Sequence, residues 1–228
     1  MTPLVLVPGL GSDEAVWRPV IERLGDVASC QVAETRLDDT IAGIGARILT
    51  VTPRRFALAG ISMGGYIALE IMRRAPERVT RLALFDTSAR PDTPEQTAGR
   101  RAAVAALDKA SIDVLTRHSL PQLVAAGAPD HVVDAIVAMG VRVGRAAYAR
   151  QQEANIARPD SRPHLAAISV PTLVAVGEHD ILTPPHLAEE LAAGIPDATL
   201  RVIPASGHLP PIEQPDATAA LLRAWLSA

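Results

Sequence analysis

The sequence predicts an α/β fold: a mostly parallel, doubly wound sheet interrupted once by a helical insertion. Three observations carry that expectation. Short solid apolar runs alternate with segments of helical period, the pattern of strands buried on both faces and joined by covering helices. The rhythm lapses from about Thr87 to Ala167, where helical patterns follow one another without a strand. At Phe56–Ala75 a buried run gives way to a helix within a few residues, and glycines crowd the seam.

The elements follow in order. Leu4–Val7 reads as the first strand, and Glu14–Leu24 as a helix that packs back on it. Ala28–Val32 is a weaker strand, followed by helical period over Thr40–Thr50. Phe56–Ala59 has no polar alternation. From Tyr66 the apolar residues Ile67, Ala68, Ile71, Met72 and Ala75 recur at helical spacing, with Glu70, Arg73 and Arg74 turned outward, and Pro76 closes the helix. Leu82–Phe85, Thr172–Val176 and Leu200–Ile203 supply the later strands. Pro185–Ala193 and Pro215–Ser227 supply the later helices. The insertion is punctuated by Pro94, Pro121, Gly127, Pro129, Gly140 and Gly144, and its edges, SARPDTP and ARPDSRP, read as hinges. The expected division is a core of residues 1–86 and 167–228 with an inserted unit of residues 87–166.

Composition narrows the function. A formal charge of −3 without a basic cluster argues against nucleic acid as partner. No uncharged run approaches a membrane span. The chain opens on MTPLVLVPGLG, without a basic leader or cleavage pattern, and the single cysteine, Cys30, fits a reducing compartment. A cytoplasmic location is the expectation.

The chemistry gathers at the strand ends. Gly60 and Gly64 lie two residues either side of Ser62, where a strand reversing into a helix leaves no room for side chains and strains the central residue. A serine hydroxyl is a poor nucleophile without a base, and the base needs an orienting acid. The acid candidate is Asp180 in VAVGEHDILTPP, beyond the carboxyl end of a strand, where catalytic groups of open parallel sheets collect. Asp86, at the end of LALFD, is the rival. The base candidate is His208 in RVIPASGHLPPIEQP, after the last strand. His118, His131 and His164 lie in or beside the insertion, His186 starts a helix, and His179 neighbours the proposed acid. No pair has metal-binding spacing, so no metal is expected. For the oxyanion of an attacked carbonyl, the backbone N–H groups of Met63 and Leu10 are the expected donors. Gly9 would let that loop approach closely. The loop Pro8–Gly11 lacks the lysine of a phosphate loop and the glycine triplet of a dinucleotide site.

The stretches VPGLGSDEAVW, AGISMGGYIALEI, PTLVAVGEHDILTPP and IPASGHLPPIEQP occur in the order of the lid-bearing α/β-hydrolase superfamily, which the chain resembles over nearly its whole length. Gly60-Ile61-Ser62-Met63-Gly64 resembles its nucleophile elbow. Pro8 stands where many relatives carry histidine, and ETRLDDTIAGIG lacks a glycine-rich loop common elsewhere. The resemblance implies Ser62, Asp180 and His208 as triad and Leu10 and Met63 as oxyanion donors. It implies that Trp17 packs the first helix beneath the mouth of the site, and that the insertion is a lid. It implies a serine hydrolase that cleaves a small-molecule carboxylic ester or lactone through an acyl-enzyme, without cofactor. Three alternatives use the same pocket: a carbon–carbon hydrolase of ring-fission products, a cofactor-free perhydrolase, and a ligand-sensing binding protein. Apolar helical faces in the insertion, such as Val132, Val133, Ile136, Val137 and Gly140, lead to the expectation of an apolar pocket with few charges. Substrate identity and oligomeric state are left open.

Overall fold

The computed structural model describes residues 1–227. Six strands form one sheet in the order β2-β1-β3-β4-β5-β6: β1 Thr2–Val7, β2 Ala28–Val32, β3 Phe56–Ile61, β4 Val79–Phe85, β5 Thr172–Gly177 and β6 Thr199–Ile203. Every neighbouring pair is parallel. All six match the sequence reading to within three residues at either end.

The solid apolar runs exist because both faces of the sheet are covered. Side chains alternate across a strand, and here the alternation divides the core in two. Val5, Val7, Leu58, Leu82, Leu84, Val174 and Val176 face one cluster. Helices α2 (Ile41–Val51), α3 (Met63–Arg74) and α7 (Pro185–Gly194) cover it with Ile44, Ile67, Ile71 and Leu191. Leu4, Leu6, Ala59, Phe85, Leu173 and Ala175 face the other. It is covered by α1 (Arg18–Leu24) and α8 (Pro215–Ser227) through Val20, Leu24, Leu222 and Trp225. A sheet wrapped on both faces is doubly wound.

Between β4 and β5 lie α4 (Pro94–Ala106), α5 (Ile112–Leu123) and α6 (Asp130–Ile156), with no strand among them. The proline and glycine punctuation expected there only partly marks element ends. Pro121 falls in the last turn of α5 and Gly140 lies within α6. An internal glycine costs only about 1 kcal/mol against alanine, so a buried helical face overrides it. Gly144 does interrupt α6, with φ 73°, a conformation that suits glycine.

The chain leaves β1 toward β2 on one side and later enters β3 on the other. That reversal puts the loop after β1 beside the loop after β3, since Val7 pairs with Gly60. Crevices of this kind, at the carboxyl ends of the strands, are where open α/β sheets bind ligands.

Candidate active site

Because β3 ends at Ile61 and α3 begins at Met63, Ser62 alone turns the chain. It does so at φ 55°, ψ −118°, a conformation that costs on the order of 1–3 kcal/mol. The flanking glycines follow from contact distances. A Cβ on Gly60 would lie 2.2 Å from the Gly64 carbonyl oxygen, and one on Gly64 would lie 2.2 Å from that of Val7. The Ser62 N–H donates to the Phe85 carbonyl at 3.0 Å, and the Thr87 hydroxyl donates to the Ser62 carbonyl at 2.8 Å. The elbow is therefore tied to the end of β4. Thr87 was not singled out in the sequence, and no local pattern marks it.

A Cβ on Gly9 would lie 3.3 Å from that of Ser62, which measures how closely the β1 loop approaches the serine. Gly9 and Leu10 line one cavity with Ser62 and His208. The Gly11 N–H donates to Gln151 Oε1 at 2.9 Å, and Gln151 Nε2 donates to Thr35 Oγ1 at 3.1 Å, so α6 pins the loop. Met63 is the first residue of α3, with its side chain fully buried. Its N–H belongs to the first turn, which has no intrahelical acceptors and carries the positive end of the helix dipole. Trp17 caps α1 and is fully buried, its ring edge-on to Phe85 at 5.7 Å. It lies under the end of β4 and not in the cavity wall.

Asp180 follows β5 by three residues and is buried. Its Oδ1 accepts the N–H groups of Leu182 at 2.9 Å and Thr183 at 3.1 Å. Its Oδ2 accepts the Thr183 hydroxyl at 2.6 Å and bonds His208 Nδ1 at 2.8 Å. Burial alone pushes this carboxyl up, but the bonds and charge of His208 and the Thr183 donors outweigh it and hold it at about 2. An ionised carboxylate only accepts, so Nδ1 carries the proton and Nε2 is left with a lone pair. The histidine loop is held in turn by Glu213, whose carboxylate accepts the N–H groups of Gly207 and Leu209, each at 3.0 Å, and of Ala125 at 2.8 Å. Thr183 and Glu213 are further residues that the sequence did not single out.

Asp86 is fully buried with φ 44°. Its Oδ1 accepts the Gly177 N–H at 2.8 Å, while Oδ2 has no partner among the described residues. Burial, and after it the charge of Asp180, push its carboxyl well above the usual range. Asp180, not Asp86, bonds His208. One ligand atom each from Asp86, Asp180 and His208 lie within 4.8 Å of one another. The histidine and Asp180 already satisfy each other.

Of the six histidines, only His208 lines the cavity. The cavity encloses about 400 Å³. Leu115, Leu123 and Ile136 line part of it, but so do Gln96, Arg100, Gln152, Asn155 and Arg158. The lining is mostly apolar, as expected, but Arg100 and Arg158 bring charge to it that the sequence reading did not place there. Val132, Ile136 and Met139 of α6 are buried against the sheet core, and Ile136 also reaches the cavity.

The model of the alpha/beta hydrolase family matches residues 4–221. The chain belongs to the α/β-hydrolase family. Among proteins similar to this α/β-hydrolase is the pimeloyl-[acyl-carrier protein] methyl ester esterase of Aliivibrio salmonicida, 27% identical over 93% of this chain and 87% of that one. A thermophilic esterase from Thermogutta terrifontis, solved with malate bound, superimposes with a TM-score of 0.90 at 31% identity, covering 100% of this chain and 90% of that one. The enol-lactonase of Burkholderia xenovorans LB400 superimposes with a TM-score of 0.89 at 27% identity, covering 100% and 92%. The chain is a hydrolase, as these relatives are. No helix among the described residues is long and apolar enough to cross a membrane.

Proposed function

We propose that this α/β-hydrolase cleaves a small-molecule carboxylic ester or lactone by acyl transfer through Ser62. The observation that carries the reading is the buried 2.8 Å bond between His208 and Asp180, with His208 opening into the same cavity as the strained Ser62. His208 Nε2 takes the hydroxyl proton as Ser62 Oγ bonds the substrate carbonyl carbon. The N–H groups of Leu10 and Met63 receive the developing oxyanion, each donor lowering the barrier by about 2.7–4 kcal/mol. When the tetrahedral species collapses, the imidazolium returns the proton to the departing alkoxide, which in a lactone stays tethered to the acyl group. Water attacks the acyl-enzyme with the same histidine as base. Asp180 stays ionised throughout and keeps the proton on Nδ1.

Residues 87–166 act as a lid over the core formed by 1–86 and 167–228, and the chemistry requires no cofactor. The carbon–carbon hydrolase and perhydrolase alternatives share these residues. The ligand-sensing alternative is set aside because the chain belongs with enzymes. Ser62→Ala and His208→Ala should each remove nearly all turnover of p-nitrophenyl acetate, leaving roughly 10³–10⁴ over water from binding and oxyanion donors. A fluorophosphonate should label Ser62 alone. Labelling of another serine, with Ser62→Ala still active, would sink the assignment.

A further inference from the structure

Where α4 and α6 border the cavity, two arginines share one acid. Arg100 Nε donates to Asp92 Oδ2 at 2.9 Å and its Nη1 to Gln152 Oε1 at 3.0 Å. Arg158 Nη1 donates to Asp92 Oδ1 and, at 3.0 Å, to the Asn155 carbonyl, while its Nε donates to the Arg90 carbonyl at 2.9 Å. Asp92 is nearly inaccessible, as is Arg158. One carboxylate against two guanidinium groups leaves a positive charge uncompensated. No carboxylate lines the cavity among the described residues, whereas both arginines do. A charge out of water is costly unless paired, so this arrangement favours an anion beside it.

Unused donors point the same way. Nη2 of each arginine makes no hydrogen bond to the described residues. The Tyr148 hydroxyl accepts from Gln152 Nε2 at 2.8 Å, which leaves its own proton free. Asn155 lines the cavity, is almost fully buried, and its amide oxygen has no partner. Which end of that amide faces the cavity is interchangeable by a flip, so it can present its NH₂. The Arg158 guanidinium also lies over the Tyr66 ring, 4.5 Å from the centroid, and is held in one orientation. Planar, fixed guanidinium groups with free N–H bonds match a carboxylate.

We propose that Arg100, Arg158, Tyr148 and Asn155 form a carboxylate subsite, and that the substrate is an ester or lactone bearing a second, free carboxylate. The inference rests on the hydrolase reading above and names its substrate class. Ser62 and the subsite share one cavity, so a single molecule spans both by placing its carbonyl at one and its carboxylate at the other.

Two matched ester pairs test it: monomethyl against dimethyl glutarate, with the charge on the acyl side, and 4-acetoxybutanoate against 4-acetoxybutanamide, with the charge on the alcohol side. In at least one pair the charged member should be preferred in kcat/KM. Arg100→Gln should cut that ratio roughly 10- to 100-fold, the range for hydrogen bonds to charged groups. The variant leaves Arg158 paired with Asp92, so no buried acid is stranded. Ratios near one in both pairs for the wild type, or a ratio that Arg100→Gln leaves unchanged, would overturn the subsite while the hydrolase reading stands. If no ester turns over, the hydrolase reading falls and binding decides the subsite. Glutarate should then raise the Tm of the wild type more than that of Arg100→Gln, with glutaramide inert to both; equal shifts would overturn it.

Discussion

The ends of β4 and β5 are two copies of one local design with opposite electrostatic outcomes. Each strand is buried, each runs out beside the other at the same edge of the sheet, and each delivers an inaccessible aspartate, Asp86 or Asp180. Asp180 receives two backbone N–H groups, a hydroxyl and the histidine ring, and is held at about 2. Asp86 receives one N–H and faces the charge of its neighbour, so its carboxyl is pushed well above the ordinary range. Burial is common to both. What separates them is the supply of donors, which comes from the loop that follows each strand. After Asp180 the chain turns back at Leu182 and Thr183 and presents their N–H groups to the carboxylate. After Asp86, Thr87 spends its hydroxyl on the Ser62 carbonyl instead.

The comparison breaks most visibly in catalysis. Asp180→Asn should lower turnover of an activated ester on the order of 10⁴-fold, because an amide presents the wrong partner to Nδ1 and inverts the histidine tautomer. Asp86→Asn should stay within about threefold of wild type, since the acid it replaces is pushed toward its neutral form and is not bonded to His208. Steady-state kinetics on p-nitrophenyl acetate decides between them, and the reverse ranking would move the orienting role to β4.

How much of this was legible beforehand divides along the same line. The sheet and its order-setting elements were readable because strands buried on both faces have nothing but apolar side chains. Ser62 was readable because steric exclusion at Gly60 and Gly64 leaves a pattern five residues long. Asp180 and His208 followed from their places after strands. The choice against Asp86 rested on position alone, because donors that decide ionisation are backbone groups and have no letter in the sequence. Thr183 and Glu213 act through one or two hydrogen bonds each, set by loop geometry rather than by periodicity. The cavity's arginines were the least legible. Arg100 and Arg158 are 58 positions apart and meet only through Asp92.

A smaller effect sharpens the donor argument. Thr183→Val keeps the backbone N–H to Oδ1 and deletes only the hydroxyl at 2.6 Å from Oδ2. One net hydrogen bond contributes about 1 kcal/mol, so kcat/KM should fall by roughly tenfold or less. The variant should also move the acid limb of stability. Asp180 is depressed from 3.8 to about 2, so its contribution is present above pH 3.8 and lost as pH falls toward 2. With a donor removed the carboxyl moves back toward its unfolded value, so the loss should be smaller and complete at a higher pH in urea titrations. A catalytic loss as large as that of Asp180→Asn, or an unmoved acid limb, would mean that Thr183 serves the histidine and not the acid.

The smallest effect has the opposite sign. Asp86 binds its proton more tightly folded than unfolded, since burial and then Asp180 raise it above 3.8. Between 3.8 and that raised value the native state carries a proton that the unfolded chain has released, so wild-type stability declines as pH rises through the window. Asparagine is close to a permanent copy of the protonated acid: its oxygen can keep the Gly177 N–H, and its NH₂ can donate where Oδ2 now has no partner. Asp86→Asn should therefore be more stable than wild type at pH 7, by on the order of 1 kcal/mol for a newly satisfied buried group, and the gap should shrink toward pH 4. Urea midpoints at pH 4, 5.5 and 7 measure it. Parallel curves for variant and wild type would show that Asp86 is ionised in the fold, and the contrast between the two strand ends would then have to come from geometry alone.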